Sequence, residues 1–143
     1  MSYYGISTAL YNILSPLVAT SPRLAAVYDT EVPSSPVYPY IVLAAGDAVE
    51  DELDTASNQT LYSYTIRAVT VAKDKDSMED TMRQLADDVL AELRKRANQT
   101  LAGTADRFLP FTVSWGWSGE GTALPTRYWE IKMDILKDWS IDS

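Results

Sequence analysis

The chain predicts an α+β fold, a two-layer sandwich in which two main helices pack on one face of a mainly antiparallel sheet of four to five strands. Two late segments carry the sheet: Phe111, Val113, Trp115 and Trp117, then Trp129, Ile131, Met133 and Ile135, each alternate with polar or small residues at a period of two. A middle segment carries a helix, because Met78, Met82, Leu85, Val89 and Leu93 recur at helical spacing and make a stripe that a sheet face has to cover. The length of 143 residues with 46% apolar content suits one core, so a single domain over 1–143 is expected.

The elements follow in order. Ile6, Leu10, Ile13, Leu14 and Leu17 predict a helix over about 6–15, ended by Pro16, which lacks the N–H the helix needs. Pro22, Pro33, Pro36 and Pro39 then punctuate a stiff connector with one short strand at about 26–32. YIVLAA predicts a strand over 40–45, and the β-branched and aromatic run LYSYTIRAVTVA another over 61–72. Between them Asp47, Glu50, Asp51, Glu52 and Asp54 place five carboxylates in eight residues, a density that prefers water and predicts a mobile exposed loop. The main helix is expected over 77–97, with Ser77 as its cap, Glu79 and Asp80 in its first turn and Arg94, Lys95 and Arg96 at its end. Strands over 111–117 and 127–137 close the chain, joined by the flexible stretch SGEGTALPT.

Composition removes most chemistry. With no cysteine and no histidine, disulfides, thiolate or imidazole metal sites, thiol nucleophiles and serine triads are excluded. A net charge of −8 opposes any grip on phosphate backbones. No apolar run reaches the roughly 20 residues of a membrane span, and no leader pattern opens the chain, so a soluble, unsecreted protein is expected. The acidic run lacks the central glycine and the register of a calcium loop. The segment GWSGEG opens no helix and is too loose for a nucleotide fingerprint. No catalytic residue, cofactor or metal is therefore expected. The aromatic residues, nine Tyr and four Trp, are expected in the core and at interfaces.

The helix ISTALYNILS, the proline-punctuated VYDTEVPSSPVYPYIVL, the strand LYSYTIRAV, the helix SMEDTMRQLADDVLAEL and the closing strand RYWEIKMDILKDW stand in an order that resembles the tail-terminator, or tail-completion, proteins of long-tailed bacteriophages. The longer acidic segment at 47–54 and the extended connector 97–110 depart from that pattern. The resemblance implies a virion protein of the tail and neck, assembled in the host cytoplasm. It implies a homo-oligomer, a hexameric ring, that caps the tube of major tail protein and meets the head-completion or connector protein, with DNA passing through without sequence-specific binding. The candidate contact residues are Asp47, Glu50, Asp51, Glu52 and Asp54 in the acidic stretch, and Gly119, Glu120, Gly121 and Leu124 in the late connector. Another neck component (head-closure or adaptor protein), a tail-tube subunit, and a small carboxylate-using enzyme stay open as alternatives.

Overall fold

The computed structural model describes residues 3–21, 23–29, 32–52, 57–71, 75–95, 98, 107–108, 111–118 and 125–140; at 49–52, 57–59, 75–77, 107–108 and 138–140 it describes the backbone alone. Helix α1 spans Tyr3–Leu14, and Pro16 separates it from a single turn, α2, at Leu17–Thr20. Strand β1 is Ala26–Tyr28, β2 is Tyr40–Glu52 and β3 is Ser57–Val71. Helix α3 is Lys75–Arg94, followed by β4 at Arg107–Phe108, β5 at Thr112–Ser118 and β6 at Thr126–Ser140.

These strands form one open mixed sheet in the order β1-β2-β3-β6, with β4 and β5 both on the far side of β6. Its spine is the fifteen-residue antiparallel ladder of β3 and β6, from Ser57 opposite Ser140 to Val71 opposite Thr126. Strand β1 alone runs parallel to its neighbour, pairing Ala26–Tyr28 with residues 40–42 of β2. Because β6 gives its other side wholly to β3, β4 and β5 share the remaining one, with Phe108 opposite Ile135 and Thr112 opposite Lys132.

The helices cover one face, and alternation explains which side chains meet them. Tyr62, Tyr64, Ile66 and Ala68 of β3 and Trp129, Ile131, Met133 and Ile135 of β6 lie buried under Ile6, Leu10 and Leu14 of α1 and Met78, Met82, Leu85, Val89 and Leu93 of α3. Two polar pins hold the layers together. Trp129 Nε1 donates to the Met82 carbonyl at 3.1 Å, satisfying a buried indole. Tyr64 donates its hydroxyl proton to the Tyr3 carbonyl at 2.7 Å, and Ser7 Oγ lies 2.7 Å from the Tyr64 hydroxyl oxygen.

Several expectations are corrected. The acidic stretch is not a loop through Glu52: β2 and β3 run on past the apolar segments and pair as far as Glu52 opposite Asn58. Backbone pairing resumes beyond a register shift and satisfies N–H and C=O groups on both strands, and that outweighs the crowding of charge along the stretch. Ser77 is not a cap, because α3 already starts at Lys75 and Ser77 sits inside its first turn. In the connector expected over 97–110, β4 adds a short pairing with β6. The early strand ends at Tyr28 rather than 32.

Candidate functional site

Strand edges, rather than a cleft, are where this molecule leaves interaction potential unspent. A sheet edge carries a row of N–H and C=O groups that seek a strand, so natural proteins guard such edges. On one side of the sheet, β1 covers only the first three residues of β2, so from Leu43 to Glu52 β2 has β3 as its single strand partner among the described residues. This edge carries guards. The register shifts between Ala45 and Ala48, a bulge that bends the strand, and Asp47, Glu50, Asp51 and Glu52 make the stretch acidic. At the bulge, Tyr3 donates its hydroxyl proton to the Gly46 carbonyl at 2.8 Å. A Cβ at Gly46 would lie 3.1 Å from both Cβ and carbonyl oxygen of Ser63, so glycine is what lets the two backbones close up here.

Among the described residues the opposite edge carries no such guard. Strand β5, TVSWGWS, has no charged residue and no proline, and among the described residues only β6 pairs with it. Its register places Val113, Trp115 and Trp117 on the helix side, opposite Ile131, Trp129 and Arg127. Trp117 packs against the core, yet Val113 and Trp115 are each 38% exposed. Arg127 anchors the indoles: its guanidinium sits 5.0 Å from the Trp115 ring and 5.1 Å from the Trp117 ring, with Nε 2.6 Å from Glu79 Oε1.

The sheet face turned away from the helices is also open. Tyr28, Tyr38 and Tyr40 cluster with ring centroids 5.4 and 5.5 Å from Tyr40, and Arg67 stacks 4.1 Å over Tyr128 while pairing with Glu130 at 3.7 Å. Tyr128 fills the space over Gly116, where a Cβ would come within 2.5 Å of its hydroxyl oxygen. Burial pushes the Tyr40 hydroxyl above the ordinary tyrosine range; Tyr38 adds to the rise and Arg67 opposes it. Burial likewise raises Tyr64, against the lowering hydrogen bond from Ser7.

Chemical equipment is sparse. A shallow depression of about 280 Å³ lies on the open face between Ser63, Thr65, Thr112, Lys132 and Asp134. There Ser63 donates to Asp134 at 2.9 Å, a pair that ties β3 to β6. Another, of about 260 Å³, lies beside the latch in which Arg23 and Ser21 bind Asp88 of α3. Among the described residues no three acidic groups are placed to share a metal ion, and no helix is long and apolar enough to cross a membrane.

Of the sequence-predicted contact residues, Asp47 is exposed at the β2 bulge, and Glu50, Asp51 and Glu52 extend the same strand. Asp54, Gly119, Glu120, Gly121 and Leu124 lie outside the described residues. The β5 edge was missed as a contact surface, although the uncharged run FTVSWGWS was its signal.

The same fold occurs in a virus-like particle. A chain in the virion of a native gene transfer agent particle matches with a TM-score of 0.56 at 17% identity, over 94% of this chain and 99% of that one. A second solved structure, of a protein without a functional name, matches with a TM-score of 0.50 at 18% identity, over 94% and 96% of the two chains. At such identities the likeness is one of fold. No family model matches the chain, and no curated protein matches its sequence.

Proposed function

We propose that the chain is a structural virion protein, a tail terminator whose copies form a hexameric ring that closes the tail tube and receives the head-side connector. The observation that carries this is coverage: the resemblance to a virion chain takes in 94% of this sequence and 99% of the other, so the shared unit is the whole molecule rather than a common motif. The open edges and the exposed Val113 and Trp115 support an assembling subunit. A net charge of −8 suits a passage that repels DNA and lets it slide.

The test is twofold. Native mass spectrometry of the purified chain should give a species of about 95 kDa, six copies of 15.9 kDa. Added to growing tubes of the cognate major tail protein, the chain should stop elongation, and particles made without it should carry overlong tails detached from heads. A ring that leaves tube length unchanged points to the other neck components, and a chain that itself polymerises into tubes points to a tube subunit. A monomer that turns over a small substrate would overturn the reading.

A further inference from the structure

We infer that β5 of one copy pairs antiparallel with the uncovered stretch of β2 in the next copy, so that the sheets join edge to edge around the assembly. The inference rests on the ring reading and specifies the contact that builds it. Four observations converge on this partner for β5.

The first is direction. From β2 through β3 and β6 to β5 every neighbour is antiparallel, so β2 and β5, at opposite edges, run in opposite senses. Rotation about an axis along the strands preserves those senses, and it sets β5 of one copy antiparallel beside β2 of the next. A repeated contact of this head-to-tail kind closes into a ring when its rotation divides a full turn, whereas pairing β5 with another β5 makes a two-fold dimer that leaves β2 uncovered.

Space is the second. On β2 the uncovered ladder opens at Leu43, where β1 ends, and Ala44, Ala45, Gly46 and Ala48 are all exposed. These small side chains leave room for the exposed Val113 and Trp115 that an arriving β5 presents.

Charge is the third. An antiparallel approach sets the acidic end of β2, Glu50 to Glu52, against the start of β5 and the β4 that precedes it. That region carries Arg107 on β4 and the exposed Lys132 opposite Thr112. The same carboxylates oppose pairing of β2 with another β2, while the uncharged β5 meets no such penalty.

The fourth is register. Matching open face to open face puts Ala44 among Thr112, Ser114 and Ser118, and the β2 bulge ends the regular ladder and so limits slippage.

The natural absence of cysteine makes the test clean. Ala44→Cys is combined in turn with Thr112→Cys, Ser114→Cys and Ser118→Cys, and each protein is oxidised and run under denaturing, non-reducing conditions. Directly opposed strand positions stand about 4.5 to 5.5 Å apart, within disulfide reach. At least one pair should yield a ladder of covalent multimers that collapses with reductant, while each single variant stays monomeric. A dimer from Ser114→Cys alone would show two-fold β5 pairing and overturn the inference. An intact oligomer that none of the three pairs cross-links would overturn the edge pairing and leave the ring reading standing. A chain that is monomeric before any substitution would overturn both. As a second arm, Val113→Lys with Trp115→Lys should reduce the native species to the 15.9 kDa monomer with circular dichroism unchanged; an oligomer of undiminished mass would count against the contact.

Discussion

The two edges of this sheet are built on opposite principles. The β2 side has a short parallel cover strand, a bulge, a tyrosine hydroxyl on the bulge carbonyl and a run of carboxylates. The β5 side has seven uncharged residues with two exposed apolar side chains. A fold that spends so many devices on one edge and none on the other is not merely tolerant of an open edge. The difference marks β5 as the strand that seeks and β2 as the strand that selects, since acidity excludes copies of β2 and admits a neutral one.

The largest loss is expected at the spine that holds the two edges apart. Trp129→Ala removes the largest fully buried side chain and the donor to Met82, and should cost about 3–5 kcal/mol in urea unfolding, scattering both edges at once. If stability barely moves, the sheet is not the rigid spacer the comparison assumes.

Next come the two glycines, one on each edge strand. Gly46→Val drives its Cβ against Ser63, including backbone, and should cost about 1–3 kcal/mol by overpacking. Gly116→Ala meets only the far end of Tyr128, so it should cost less and show itself by moving Tyr128 off Arg67. Equal losses in denaturant titration would erase the contrast between the backbone-tight edge and the adaptable one.

Alkaline titration addresses the layer beneath the β2 edge. Burial makes Tyr64 and Tyr40 ionise later in the folded chain than in the unfolded one, so their contribution is complete below pH about 10 and is lost as pH rises through and beyond it. Tyr64→Phe should flatten the fall in melting temperature above that pH. A slope identical to the parent would remove Tyr64 from the account.

The smallest effect on folding belongs to an artificial guard. Ser114→Lys, on the exposed side of β5, should change stability by no more than about 0.5 kcal/mol yet lower self-association in sedimentation. A Lys at this position that leaves sedimentation unchanged would separate the bareness of β5 from its function.

Much of this architecture was written in periodicity. Period two in RYWEIKMDIL and the stripe from Met78 to Leu93 each depend on neighbours in the chain, so β6 and α3 and the faces they bury follow from local spacing. The absence of His and Cys closes off thiolate, imidazole and disulfide chemistry from composition alone. The candidate contacts were legible in part. The acidic stretch was singled out, but as a loop, because charge density was weighed without the ladder to β3 that holds it straight.

What the tertiary structure alone decided is which alternating strand stays bare. Strands β5 and β6 carry the same apolar rhythm, yet Trp129 is fully buried and its partner Trp115 is 38% exposed. The period of two does not separate them, since β6 lies inside the sheet and β5 at its edge, and burial follows that rank. The sequence by itself determined the two main helices, the core-facing strands β3 and β6 and the chemistry that the absence of His and Cys excludes. Rank in the sheet, and with it the open edge, emerges only when distant segments pair, because edges are properties of neighbours and not of residues.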